Sequence, residues 1–108
     1  MAQKSTVGQT NYGDVAPGFA ELTDRVLNDD LWNRNDLSPR DRSLVTISSL
    51  VALYRHNELG VHVKKGLANG LKKEEIVGAV THLAFYAGWP VANTAVQVLR
   101  EAFKDAEK

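Results

Sequence analysis

The sequence predicts an all-helical fold, a single-domain bundle of about five principal helices. Three observations carry this. Apolar residues recur at three- and four-residue intervals through most of the chain. Helix start and stop signals separate those stretches. No alternating run bounded by hairpin turns indicates a strand. The 108 residues suffice for one domain. There is no internal repeat and no low-complexity stretch.

Residues 1–13 are polar, contain Gly8 and Gly13, and lack periodicity; they are expected to form a mobile arm ahead of a helical domain over 14–108. The first helix is expected from near Pro17 to about Asn28, with Phe19, Leu22, Val26 and Leu27 on one face. A loop from Asp29 to Leu37 holds Leu31 and Trp32. The second helix opens on Ser38-Pro39-Arg40-Asp41: a serine N-cap, a proline at the first helical position, and a carboxylate three residues after the cap. Its apolar residues, from Leu44 to Leu53, cover most of its circumference. The pattern turns polar at Arg55-His56-Asn57, where Asn57 is placed to cap a third helix from Glu58 to about Ala68. Asn69-Gly70 supplies a left-handed stop. A fourth helix starts at about Lys73, with Glu74 and Glu75 in its first turn where the dipole favours anions, and ends at Gly88. Pro90 opens the fifth. The second and fourth helices are apolar around too much of their surface for a lone small bundle, which predicts a symmetric homo-oligomer.

Thirteen basic residues balance thirteen acidic ones. Nucleic-acid binding through bulk charge is therefore not expected. There is no cysteine, so thiolate metal sites, disulfides and cysteine nucleophiles are excluded for this chain. The polar start lacks an apolar signal core and no run reaches the length of a membrane span. A cytoplasmic protein without membrane partners is the expectation.

Of His56, His62 and His82, His62 has the best-placed neighbour. Glu58 precedes it by four residues, so the two share a helical face. A carboxylate there can fix the imidazole tautomer and raise its proton affinity, making an acid–base pair. Spacing alone favours an ordinary intrahelical pair worth about 0.2–0.5 kcal/mol. His56 and His62 complete no ligand set, so no metal site is expected. Arg40 and Arg42 occupy the first turn of the second helix, where the dipole disfavours cations by about 0.3–1 kcal/mol. Either Asp36 and Asp41 neutralise them, or they bind an anionic substrate, for which the guanidinium fork suits carboxylates. Arg55 is a third candidate. Ser43, Ser48 and Ser49 have no visible base partner.

The stretch Leu37-Ser38-Pro39-Arg40-Asp41-Arg42-Ser43-Leu44-Val45-Thr46-Ile47 begins an ordered set of elements. Glu58-Leu59-Gly60-Val61-His62, Gly66-Leu67-Ala68-Asn69-Gly70, Glu74-Glu75-Ile76 and Ala84-Phe85-Tyr86-Ala87-Gly88-Trp89-Pro90 follow. Together, over about residues 19 to 103, they resemble carboxymuconolactone decarboxylases. The resemblance implies an alkylhydroperoxidase D-like helical fold and ring-like oligomers, commonly trimers or hexamers. One branch of that superfamily carries a Cys-x-x-Cys-x-x-x-His redox site. Arg55 and Glu58 stand at its two cysteine positions here, with His62 retained, so thiol peroxidase chemistry is excluded. The chain departs from the family in a short polar arm before the first helix and in Lys72, where a threonine or serine cap is common.

What the resemblance implies is a carbon–carbon lyase that needs no cofactor, acting on a small carboxylated lactone or related organic acid. His62 and Glu58 would be catalytic, and Arg40, Arg42 and Arg55 would hold carboxylates. Trp32, Tyr86 and Trp89 would wall the pocket unless they serve core or interface packing. The alternatives are a proton-transfer isomerase or other decarboxylase on the same site, and a non-catalytic helical oligomer.

Overall fold

The structure is a computed structural model that describes residues 4–107. Among these residues there is no strand, and six α-helices are present, one more than the five expected. The chain divides into two compact units between Leu37 and Ser38.

The first unit contains the additional helix, α1 (Val7–Tyr12), followed by α2 (Pro17–Leu22). α2 runs on through a π-helical turn, Thr23–Asn28, and a 3-10 turn, Leu31–Asn33, follows. The first three residues of the expected arm lie outside the described residues. α1 has no side-chain cap of its own. Its free N–H groups are taken by Asp24, which accepts from Gly8 N at 2.7 Å and Gln9 N at 2.9 Å, while Ser5 Oγ donates to it at 2.7 Å. Desolvation pushes the Asp24 carboxyl up, but the donors from Gly8, Ser5 and Gln9 outweigh it and hold the group below its usual value. Gly8 is where α1 meets α2: a Cβ there would lie 2.4 Å from the Ala20 carbonyl oxygen. An edge contact between Tyr12 and Phe19, 4.9 Å between centroids, closes the other end. Phe19, Leu22, Val26, Leu27 and Leu31 line an open groove of about 450 Å³ in this unit, with Asp30 and Arg34 at its rim.

The second unit consists of α3 (Pro39–Ala52), α4 (His56–Ala68), α5 (Lys73–Tyr86) and α6 (Trp89–Ala106). Ser38 caps α3 as its sequence indicates, accepting from Asp41 N at 3.0 Å. The core is built from Ile47 and Val51 of α3, Leu59 and Val63 of α4, Leu71, and Ile76, Val80 and Ala84 of α5. Ala92, Ala95, Leu99 and Ala102 of α6 pack against them. The three alanines let α6 approach closely, and the branched side chains of the other helices fill the space.

The α3–α4 connection is tighter than expected. α4 begins at His56 rather than after an Asn57 cap, because Tyr54 takes a left-handed conformation, φ 60°, and reverses the chain in one residue. Arg55 N donates to Leu50 O at 2.7 Å and Tyr54 N to Val51 O at 3.1 Å, the paired bonds of a Schellman ending. α4 ends the same way with the glycine that the sequence supplies. Gly70 has φ 107°, Leu71 N donates to Gly66 O at 2.9 Å, and Gly70 N to Leu67 O at 3.2 Å.

Lys72 cannot cap α5 with a side-chain acceptor. Instead its N–H donates to Glu75 Oε1 at 2.9 Å, half of a capping box. No helix among the described residues is long and apolar enough to cross a membrane. Leu53 of α3 (70% exposed), Phe85 and Tyr86 of α5 (76% and 78%) and Trp89 of α6 (65%) lie open.

Candidate active site

α4 buries Leu59, Val63 and Gly66 in the core. The spacing of 3.6 residues per turn then places Glu58, His62 and Lys65 on an adjacent strip at the edge of that core, and all three are half-buried. Position on this edge determines their chemistry. Desolvation lowers the proton affinity of His62, and the nearby Lys65 charge lowers it further. Burial likewise lowers that of Lys65. Both effects favour a neutral imidazole at neutral pH. This corrects the expectation that a carboxylate neighbour raises the proton affinity of His62.

The Glu58 carboxylate has a different partner. Arg55 Nη2, from the residue that precedes α4, donates to Glu58 Oε1 at 2.6 Å. Glu58 Oε2 is buried and accepts no hydrogen bond among the described residues. One oxygen is therefore fixed by a cation, and the other is enclosed without a donor among the described residues. Arg55 and Glu58 are thus an ion pair.

Arg40 donates to Asp41 at 2.9 Å and to Glu75 Oε2. Asp41 offsets it as the sequence suggests, and Glu75 joins the first turn of α3 to that of α5. Arg42 is only 8% exposed, a buried guanidinium rather than a surface one. Trp32 is half-buried on the 3-10 turn of the first unit. Tyr86 stacks on His82 at 4.6 Å and Trp89 meets Phe85 edge-on at 5.7 Å, both at the exposed α5–α6 corner. A small apolar cavity of about 10 Å³ lies under Tyr54 and His56, bounded by Leu50, Leu59, Val91 and Thr94. Sequence reasoning missed Lys65, although its spacing of three from His62 and seven from Glu58 was the available signal. It also missed the left-handed Tyr54, which nothing in its residue type announces.

Residues 17–101 match the profile of the carboxymuconolactone decarboxylase family. The chain belongs to the carboxymuconolactone decarboxylase family. It is similar to the 4-carboxymuconolactone decarboxylase of Acinetobacter baylyi, with 37% identity over 95 residues that cover 88% of this chain and 71% of the relative. It is also similar to a nitrosuccinic acid decarboxylase of Metarhizium robertsii, with 33% identity over 75 residues covering 69% of this chain. It spans about half of that fungal enzyme, 52%. The family match takes in the whole α4 strip and both helix beginnings that Glu75 joins.

Proposed function

We propose that this protein is a decarboxylase that needs no metal or organic cofactor, acting on a small carboxylated lactone or related organic acid. The observation that carries the reading is the α4 strip: a half-buried His62 biased toward its neutral form, beside a Glu58 whose second oxygen is buried without a hydrogen-bond donor. The substrate supplies its own electron sink. The bond to the departing carboxylate breaks, CO2 leaves, and the electron pair moves into the conjugated carbonyl. A proton from solvent completes the product, so one proton is consumed and no oxidant or reductant is needed.

In this mechanism the neutral His62 donates a hydrogen bond to the developing oxyanion, where a positioned donor is worth more than in water. Glu58 orients His62 when substrate is bound, and Arg55 acts through Glu58 by holding Oε1. Arg40 serves the helix beginnings rather than the substrate. Tyr86 and Trp89, with Leu53 and Phe85, belong to the contacts of a homo-oligomer, a trimer or hexamer. The test is CO2 release from 4-carboxymuconolactone by the purified protein, with and without a chelator. His62→Ala should lower kcat by about 10²–10³-fold, the cost of one lost oxyanion donor. Full turnover in a folded His62→Ala protein would remove His62 from the mechanism. Absence of CO2 release from any carboxylated substrate would leave the isomerase or non-catalytic reading.

A further inference from the structure

The chemistry above uses neither a concave apolar surface on the first unit nor a convex one on the second. The concave surface is the open groove of about 450 Å³ along α2, its π-helical turn and the 3-10 turn, lined by Phe19, Leu22, Val26, Leu27 and Leu31. Of the apolar side chains described in the first unit, only Ala20 is fully buried. A helical piece this short rarely builds a core of its own, and a groove of this size is in the range that encloses a small apolar body. With the Asp30–Arg34 ion pair at its rim, the groove has the layout of an interface, apolar inside and polar at the edge.

The convex surface is the α5–α6 corner. Residues 76–99, on both sides of it, contain no Asp, Glu, Lys or Arg, in a chain that is 24% charged. Depletion of charge around exposed aromatic rings is the composition of an interface centre. Phe85, Tyr86 and Trp89 project from this corner and are already ordered, Phe85 edge-on to Trp89 and Tyr86 stacked on His82. Rings that are ordered beforehand lose little freedom on docking.

We propose that the groove of one copy receives the α5–α6 corner of a second copy, so that subunits join head to tail. The inference rests on the homo-oligomer reading above and names the two surfaces that meet. The area involved supports a second copy as the occupant. A fully covered aromatic side chain removes about 150–250 Å² from water. With the three rings some two-thirds to three-quarters exposed, docking the corner buries roughly 300–550 Å² on its own side and a similar area on the groove, roughly 600–1,100 Å² in all. One such contact falls just below the size of a stable pair. Head-to-tail joining gives every subunit of a closed ring two of them, one through its groove and one through its corner, and their sum reaches that size. A corner packed on another corner would cover the rings but leave the groove open.

Because the chain has no cysteine, the contact can be mapped with introduced thiols. Leu22→Cys places one in the groove, and Ala87→Cys places one beside the rings while leaving them intact. The two full-length proteins, carrying tags of different mass, are expressed alone or together and treated with a short bismaleimide. Co-expression should yield linked pairs of unlike chains about tenfold or more above the linked pairs of either protein alone, as expected for thiols held together by assembly. Sedimentation equilibrium is run alongside on the wild type, Leu22→Glu and Phe85→Glu, with circular dichroism confirming helicity. Each charge should weaken assembly by about tenfold or more, the scale of a lost interface anchor. If Leu22→Glu loses helicity, Leu27→Glu decides. Linked pairs of like chains as abundant as unlike ones, or no linked pairs at all, would overturn the proposal. A monomeric wild type would refute the homo-oligomer reading and the contact with it. An oligomer weakened by Phe85→Glu but indifferent to both groove charges would keep the homo-oligomer and overturn the groove as its receptor.

Discussion

Replacing Gly66 by alanine should destabilise the protein, although alanine is the better helix former. Gly66 lies in α4 one turn beyond His62 and is buried. A Cβ built there falls 2.8 Å from Leu71 Cδ1, 3.0 Å from Ile47 Cδ1 and 3.6 Å from Ser43 Cβ. Leu71 and Ile47 are 4% and 0% exposed, so neither methyl can retreat without leaving its rotamer in a filled core. Overpacking of this kind costs about 1–3 kcal/mol. Relief of glycine's helix penalty returns about 0.8–1 kcal/mol, leaving a net loss of about 1 kcal/mol. Gly78, on the exposed side of α5, has nothing within 4 Å of its Cβ position. Gly78→Ala should therefore gain about 0.5–1 kcal/mol. Urea unfolding of both variants at one protein concentration, followed by circular dichroism, measures the contrast, expected near 2 kcal/mol by the sum of these terms. Equal stabilisation by the two alanines would refute the packing argument and with it the claimed contact of α4 with α3 at this point.

His62 should titrate, in an NMR pH series on the free protein, below its ordinary 6.5, because burial and then Lys65 both oppose the imidazolium. Lys65→Met should move the midpoint up. Since the folded state binds the proton less readily than the unfolded one, stability should fall as pH drops from 6.5 through the lowered folded value and change no further below it. A midpoint above 6.5 would contradict both causes. Tyr54→Gly should change stability by less than about 1 kcal/mol in urea unfolding: relief of a left-handed non-glycine residue returns about 1–2 kcal/mol, and the substitution gives up the 3.4 Å contact with Thr94, the ring contact with His56 and the ring's cover over the small apolar cavity. A larger destabilisation would mean that the ring contributes more than the strain costs.

Where structure follows from local backbone chemistry, the sequence was a sufficient guide. Ser38 caps, Gly70 turns left-handed, and Gly88 with Pro90 separates α5 from α6, because each residue type favours that conformation on its own. α1 escaped notice because its orphan donors are satisfied by Asp24, sixteen residues beyond Gly8, and no cap residue marks its start. Asn57 looked like a cap, but the left-handed Tyr54 had already turned the chain. At the site, the shared face of Glu58 and His62 was legible from spacing. The choice of Arg55 as Glu58's partner was not, since partners three and four residues away are equally within reach. The importance of Lys65 depends on how far its stem is buried, and that is decided by packing rather than by residue type.

The alanine face of α6 has a consequence for how that helix keeps its place. Small knobs offer little resistance to sliding, so the fully buried Leu99, helped by the partly buried Val91, Val98 and Phe103, indexes α6 along its neighbours. Beyond it, Asp105 is clasped by Lys64 of α4 and Glu107 by Lys73 of α5, so charged pairs hold the final turns against two different helices. Each clasp is partly exposed and individually weak. Salt shortens their range while leaving the alanine face untouched. Ionic strength therefore acts on α6 as a local control, loosening its last turns first and sparing the core around Leu99, and amide exchange in residues 103–107 should quicken with salt well before the helix as a whole yields.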